Sequence, residues 1–120
     1  MKITALRRNP NLSDGDPIIT KAYGSDKDSL HQLMKESDYI LVAAPLTKDT
    51  KGLIDAEALS HVQSNAVLIS LGRGPVVDED ALIDALSSRQ LKGAALDVFT
   101  VEPLPKSSPL WDLDNVLISP

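Results

Sequence analysis

Short apolar segments alternate along the chain with segments in which apolar residues recur every three or four positions. The first kind predicts strands, and the second predicts amphipathic helices. We predict strands at residues 3–6, 39–44, 66–71, 93–98 and 116–119, and helices at residues 25–35, 55–61 and 78–88. The run at 39–44 is continuously apolar, which is typical of a strand that is buried on both faces, and we predict a second buried strand at 66–71.

The predicted helices begin at residues that can cap them. Ser25 or Asp26 precedes the first helix and Asp55 the second, and each can accept a hydrogen bond from a first-turn amide. The third helix has the most regular apolar face, formed by Ala81, Leu82, Ala85 and Leu86. Strands that alternate with helices predict an α/β fold, in which a parallel sheet carries helices on both faces. Ligands of such sheets bind at the carboxyl ends of the strands.

Composition narrows the range of functions. The 120 residues allow one domain, and the net charge of −5 argues against binding to a nucleic-acid backbone. Cysteine is absent, and the two histidines have no close cluster of carboxylates around them, so we expect no metal site. No apolar run approaches the roughly 18 residues needed to span a membrane. We therefore expect a soluble, cytoplasmic protein without membrane contacts.

The first candidate site residue is Arg73. It follows the predicted strand at 66–71 and lies between Gly72 and Gly74, which would let a ligand approach the backbone. A guanidinium in this position can hold a carboxylate through two parallel hydrogen bonds. A turn arginine that pairs with a nearby surface carboxylate fits the spacing equally well.

Two carboxylates form the second candidate group. Asp97 lies at the end of a predicted strand, where an ionised side chain is costly unless it finds hydrogen-bond donors. Glu102 precedes Pro103, which favours an extended backbone and so fixes the direction of the side chain. A carboxylate held in this way can orient a histidine and favour its charged form. As isolated loop acids, both side chains would instead face solvent.

These segments together resemble a known family. The stretches LISLGRGPVVDEDALIDAL, LKGAALDVFTVEPLP and PLWDLDNVLISP are similar, in this order and spacing, to the signature of the D-isomer-specific 2-hydroxyacid dehydrogenases. The upstream stretch SDYILVAAPLTKDTKGLIDAEAL is similar to the family's preceding segment, so the resemblance covers nearly the whole chain. It implies that residues 1–120 are a partial dinucleotide-binding domain and that the substrate-binding domain is absent from this chain.

The resemblance also implies roles for individual residues. Arg73 would bind the substrate's carboxylate and polarise its carbonyl oxygen, and Glu102 would pair with a catalytic histidine that acts as general acid–base. Asp97 would lie near the nicotinamide carboxamide. The cofactor would be lined by Ala44, Pro45, Leu46 and Thr47 and by the backbone of Leu71 and Gly72. The implied enzyme moves a hydride between NAD(P) and a small 2-hydroxy or 2-keto acid. Relatives commonly dimerise through this domain.

The chain lacks two features of the family pattern. The family's histidine follows a Ser/Thr-Pro pair, which here is Ser119-Pro120, and neither His31 nor His61 matches the motif. The glycine-rich phosphate loop is missing, as is the first strand, which is central in the order 3-2-1-4-5-6. We therefore expect an incomplete Rossmann-type, doubly wound parallel sheet. The isolated chain should fold poorly or associate, and it should be inactive.

The residues after the first strand bear on the choice of cofactor. NAD-dependent enzymes carry an acidic residue there for the ribose hydroxyl, whereas this chain has Arg7 and Arg8. Paired arginines attract a 2′-phosphate, so we hypothesise a preference for NADP over NAD. Solvated arginines without a ligand are the alternative.

Three functions stay open. The first is a fragment of an NAD(P)-dependent dehydrogenase or reductase, the second a cofactor-sensing, protein-binding module of the same fold, and the third a truncated, non-functional remnant. Because Arg73 and Glu102 are both present, nothing favours the binding module. The resemblance leaves the substrate open among glycerate, glyoxylate, phosphoglycerate and bulkier 2-keto acids, because specificity in this family lies largely in the substrate-binding domain.

Overall fold

The computed structural model describes residues 1–119. The strands in this range are β1 (Thr4–Leu6), β2 (Lys21–Tyr23), β3 (Tyr39–Val42), β4 (Val67–Ser70), β5 (Gly93–Leu96) and β6 (Val116–Ile118). The α-helices are α1 (Lys27–Glu36), α2 (Ala56–Leu59) and α3 (Glu79–Ser87), and 3-10 helices lie at Pro10–Ser13, Gly74–Val76 and Pro109–Asp112. Every predicted strand and helix forms, most of them shorter than predicted. The prediction missed β2, whose three residues are exposed or only half-buried.

The strands form two parallel sheets. β1 pairs with β2, and β3 to β6 form a four-stranded sheet in the order β3-β4-β5-β6. Parallel strands joined by helices confirm the α/β, Rossmann-like class. β1 and β3 each keep an edge without a partner strand among residues 1–119. Two separate sheets are what the strand order 3-2-1-4-5-6 gives when its central first strand is missing.

One face of the four-stranded sheet is covered and the other is open. Ile40 and Val42 of β3 are buried, whereas Tyr39 and Leu41 of the same strand are 71% and 61% exposed. Leu117 of β6, which the register places on the same face as Leu41, is 72% exposed. The prediction that residues 39–44 are buried on both faces is therefore wrong. The expected second layer of helices is not formed by residues 1–119.

The three α-helices contribute to the core on the covered face; α2 contacts both α1 and α3, and α1 also contacts β1 and β2 of the smaller sheet. Apolar side chains of the helices and of the loops between them join the strand residues in one core, including Leu30, Met34, Leu59, Leu82, Leu86 and Leu91. The apolar faces predicted for the first and third helices are the ones that enter this core. The helices thereby hold the sheet from one side and leave the ends of its strands free for loops.

Each α-helix begins after an aspartate that accepts a hydrogen bond from an amide of the first turn. The oxygen–nitrogen distances are 2.8 Å for Asp26, 2.9 Å for Asp55 and 3.2 Å for Asp78. Asp26, not Ser25, caps α1. Because each cap satisfies an amide that the helix leaves unpaired, these aspartates determine where the preceding loop ends.

Candidate functional site

The carboxyl ends of β3 to β6 lie along one edge of the larger sheet. Val42, Ser70, Leu96 and Ile118 are in register across the four strands, so the residues that follow them are neighbours in space. All predicted site residues except Arg7 and Arg8 lie in these following segments. The fold therefore gathers most of the site that the sequence predicts at the edge where α/β sheets bind ligands.

Arg73 occupies the turn after β4, directly before the 3-10 helix Gly74–Val76. Its backbone is extended (φ −119°, ψ 139°), and its side chain is exposed. The guanidinium forms no hydrogen bond or salt bridge with residues 1–119, so the alternative of a surface ion pair is not realised in the described part of the chain. All its donors are available for a carboxylate ligand.

Glu102 lies in the loop after β5, and its side chain is tied back to that loop. Its Oε1 atom accepts a hydrogen bond of 3.0 Å from the backbone amide of Phe99. Oε2 accepts none from the described residues and is free for another donor. The peptide bond between Glu102 and Pro103 is cis. The carboxylate is thus oriented by one oxygen and open at the other, as a residue that pairs with an imidazole needs to be.

Asp97 directly follows β5 and is exposed. Its amide donates to the carbonyl of Ser70 at 3.1 Å, which ties this position to the end of β4. Exposure to water removes the burial cost that the sequence suggested for this carboxylate. The exposed position of Asp97 agrees with the alternative that this residue is a solvent-facing loop acid.

The two glycines beside Arg73 serve the packing of the protein itself. A Cβ atom on Gly72 would lie 2.7 Å from the carbonyl oxygen of Ala44, and one on Gly74 only 1.9 Å from that of Phe99. Gly72 therefore lets the loops after β3 and β4 touch, and Gly74 does the same for the loops after β4 and β5. Loop packing explains both glycines without a ligand, and the approach of a ligand to this backbone stays a prediction.

The loop after β3 is held by two threonines. Thr50 Oγ1 accepts from the amide of Thr47 and donates to the carbonyl of Pro45, each at 2.7 Å. Leu46 in this loop and Leu71 in the next are 43% and 54% exposed. A flat aromatic ring of a dinucleotide could pack against these exposed apolar side chains and would remove their surface from water.

Arg7 and Arg8 follow β1 in the smaller sheet. Arg7 is half-buried, and its Nη1 atom donates to Ser13 Oγ at 2.7 Å, whereas Arg8 is exposed. The two arginines therefore differ: Arg7 has a protein partner, whereas Arg8 is open to solvent.

The histidines lie away from the strand ends and contact each other. The rings of His31 in α1 and His61, just beyond the end of α2, stack with centroids 4.2 Å apart. His61 was predicted to be helical, but α2 ends at Leu59. The two side chains therefore pack against each other. Among residues 1–119, no three metal-ligating side chains converge on one point, and no helix is long and apolar enough to cross a bilayer.

The sequence did not reveal the contact that joins the two loops around Arg73 and Glu102. Glu79 Oε2 accepts a hydrogen bond of 2.9 Å from the amide of Thr100. The two residues are 21 positions apart, and Glu79 looked like an ordinary acid in the first turn of a helix. No local pattern indicates such a contact. A cavity of about 430 Å³ between the 3-10 helix Pro10–Ser13 and β2 contains none of the predicted site residues.

Comparison with known proteins places this geometry in a family. The profile of the D-isomer specific 2-hydroxyacid dehydrogenase NAD-binding domain matches residues 1–120. A glyoxylate/hydroxypyruvate reductase B from Pectobacterium carotovorum is 50% identical over 91 residues, which cover 76% of this chain and 28% of that protein. A protein of the same name from Erwinia tasmaniensis is 42% identical over a gapped alignment of 126 positions, which covers 97% of this chain and 39% of that protein.

Solved structures agree with this assignment. A D-isomer specific 2-hydroxyacid dehydrogenase from Xanthobacter autotrophicus superposes on all of this chain with a TM-score of 0.91 and 41% identity. An NADPH-dependent glyoxylate/hydroxypyruvate reductase from Sinorhizobium meliloti, solved with NADP and sulfate, gives a TM-score of 0.81 and 30% identity. This chain covers 38% of each of those two chains. It therefore belongs to the D-isomer specific 2-hydroxyacid dehydrogenases and corresponds to part of their NAD-binding domain.

Proposed function

We propose that this chain is part of a longer oxidoreductase, called the parent protein below, that reduces small 2-keto acids of the glyoxylate and hydroxypyruvate type with NADPH. The observation that carries the proposal is the free guanidinium of Arg73, held in a turn that packs against the loop of Glu102. Both curated relatives described above carry the name of a reductase with these substrates. The chain spans 28–39% of those relatives, so substrate and activity belong to the parent protein.

In this proposal, the chain's own residues bind and orient the substrate. Arg73 donates two parallel hydrogen bonds to the substrate's carboxylate and polarises the neighbouring carbonyl oxygen. Glu102 uses its free Oε2 to accept an N–H from the histidine that the family pattern places after Pro120, which favours the imidazolium form. A bound reduced nicotinamide would supply the hydride that the carbonyl carbon accepts, and the imidazolium would supply the proton for the carbonyl oxygen.

The choice of NADPH rests on Arg8 and Arg7. Arg8 is exposed, and Arg7 uses only one guanidinium nitrogen in its hydrogen bond to Ser13, so both retain donors for a 2′-phosphate. No carboxylate occupies the two positions after β1, where one would repel that phosphate. Equal kcat/KM with NADPH and NADH in the parent protein would contradict this part of the proposal.

The test is steady-state kinetics of the parent protein with glyoxylate and hydroxypyruvate. Arg73→Gln should lower kcat/KM by about 10²–10³-fold, the loss typical of removing one donor that stabilises a developing oxyanion. Arg89→Gln is the matched control, since Arg89 is also an exposed arginine but pairs with Asp114 at 2.7 Å. It should leave kcat/KM unchanged. The proposal fails if the parent protein reduces neither keto acid, or if both arginine variants behave alike.

A further inference from the structure

The loops that carry Arg73 and Glu102 are fastened together at a single peptide unit. The peptide between Phe99 and Thr100 lies against Gly74, where a Cβ atom would come within 1.9 Å of the Phe99 oxygen and 2.7 Å of the Thr100 nitrogen. Gly74 directly follows Arg73, and Thr100 comes two residues before Glu102. A displacement of this peptide would therefore change the separation of the two side chains.

Two carboxylates hold consecutive amides of this segment. Glu102 Oε1 accepts from the amide of Phe99 at 3.0 Å, and Glu79 Oε2 accepts from that of Thr100 at 2.9 Å. The Phe99 side chain is 8% exposed and anchors the segment in the core. The first contact is made within the loop, so Glu79 provides the hydrogen bond that links the segment to α3. A hydrogen bond to an ionised acceptor is roughly twice as strong as one between neutral groups.

The position of Glu79 in the chain also suits it to link the Thr100 segment to α3. It is the first residue of α3, is half-buried, and lines a small cavity that Ser70, Gly74 and Leu96 also line. The chain from Arg73 to Glu79 runs through one turn of 3-10 helix into the capped start of α3, which leaves little freedom between the two residues. The carboxylate is therefore at a defined distance from Arg73 when it binds the loop of Glu102.

We propose that Glu79 is a positioning residue: by holding the amide of Thr100, it fixes the loop of Glu102 relative to Arg73. The inference rests on the proposed function for the roles of Arg73 and Glu102, whereas the contact itself does not depend on those roles. The competing explanation is that Glu79 merely stabilises the start of α3 through its negative charge, as an acid in a first turn does.

Substitutions at two adjacent acids separate these explanations in the parent protein. Glu79→Ala removes both the charge and the acceptor, whereas Glu79→Gln keeps an acceptor oxygen and removes the charge. Glu79→Asp keeps the charge but is one methylene too short to reach Thr100. Asp80→Ala is the matched control, because Asp80 is also a first-turn acid but is exposed and makes no side-chain hydrogen bond with residues 1–119.

The first readout is amide hydrogen exchange of the segment around Thr100, which needs no assumption about activity. Exchange should become at least about tenfold faster in Glu79→Ala and Glu79→Asp, since a hydrogen bond worth about 1.4 kcal/mol corresponds to a tenfold change in opening. It should increase less in Glu79→Gln, which keeps a weaker, neutral acceptor, and should stay at the wild-type rate in Asp80→Ala. If Glu79→Ala does not accumulate as folded protein, Glu79→Asp carries the test, because it retains the helix-stabilising charge.

The second readout is the split between kcat and KM. Glu79→Ala and Glu79→Asp should lower kcat by up to about 10²-fold, the loss expected from a displacement of roughly 1 Å, with a smaller change in KM. Glu79→Gln should recover most of the rate. Equal exchange and equal kcat in Glu79→Asp and wild type would overturn the proposal. A parent protein that reduces no 2-keto acid would instead overturn the proposed function, and the exchange experiment would still decide the role of Glu79.

Discussion

At the scale of single residues, the site depends on close contacts between neighbouring loops. The turn after β4 has a glycine on each side of Arg73, and each glycine touches the backbone of a different adjacent loop. The sequence correctly indicates that positions 72 and 74 must lack side chains, but it does not indicate why. Flanking glycines suggest the approach of a ligand equally well, and only the fold shows that Ala44 and Phe99 fill the space.

Gly74→Ala tests this contact. The new methyl group would lie 1.9 Å from the Phe99 carbonyl oxygen, so the loop of Glu102 must move. We expect a loss of about 1–3 kcal/mol in stability, as is usual for overpacking, together with a fall in kcat/KM of about 10²-fold. Thermal unfolding and steady-state kinetics of the parent protein measure the two effects.

Gly24→Ala is the control for that substitution. A Cβ atom there would meet only the Asp26 carboxylate, at 3.3 Å, and a shift of a few tenths of an ångström relieves this contact while Asp26 still caps α1. Gly24→Ala should therefore keep both stability and kcat/KM. If Gly74→Ala unfolds and reacts like Gly24→Ala, the two loops are not in contact as described.

At the scale of elements, the helices are joined by contacts that the sequence does not predict. α1 and α2 are linked by a salt bridge of 2.6 Å between Lys27 Nζ and Glu57 Oε2 and by the stacked rings of His31 and His61. Lys27 precedes His31 by four residues, and Glu57 precedes His61 by four residues. The ion pair and the ring pair therefore lie about one helical turn apart on the same side of α1. The helix periodicity identifies each buried face, but it cannot say which exposed residues of two helices will meet.

The salt bridge gives stability a defined dependence on pH. The hydrogen bond from Lys27 lowers the pKa of Glu57 below its ordinary value of 4.5. A group with a lowered pKa stabilises the fold above its unfolded pKa, and that contribution is lost as the pH falls through the folded value. Glu57→Gln should therefore lower the unfolding temperature of the parent protein slightly at pH 7, and by less as the pH falls below 4.5. The pair is exposed, so salt should also reduce the difference.

Asp49→Asn is the control for the pH series. Asp49 is exposed and its side chain makes no hydrogen bond or salt bridge within residues 1–119, so its substitution should leave the pH dependence as in wild type. A difference between Glu57→Gln and wild type that is constant from pH 3 to pH 7 would rule out the ion pair as its cause.

At the scale of the whole molecule, the order of elements could be predicted, but their exposure could not. Alternation of strands and helices and the family motifs were enough to predict a parallel α/β sheet with Arg73 and Glu102 at its carboxyl edge. The apolar run at 39–44 predicted burial on both faces, because a strand that is covered on both faces in the complete domain has apolar residues on both. Residues 1–119 supply helices for one face only, so Leu41 and Tyr39 are exposed. β2 escaped detection because three residues carry too little periodicity.

This exposure bears on how the 120 residues behave as an isolated chain. β1 and β3 offer unpaired edges among the described residues, and the open face of the larger sheet carries exposed Leu41 and Leu117. Unpaired edges and apolar surface both favour association with further copies. We expect the mean mass in sedimentation velocity to rise with concentration and no reduction of 2-keto acids by the isolated chain.

Leu41→Lys identifies the surface responsible, because Leu41 lies on the open face and on the edge strand β3 at once. A lysine there adds charge to both surfaces and should shift the chain toward the monomer. Leu12→Lys is the matched control, since Leu12 is 70% exposed but lies outside both sheets, and it should associate like wild type. A wild-type chain that is monomeric at every concentration and unfolds in one sharp transition would contradict this prediction, because the exposed sheet face and edges would then not cause association.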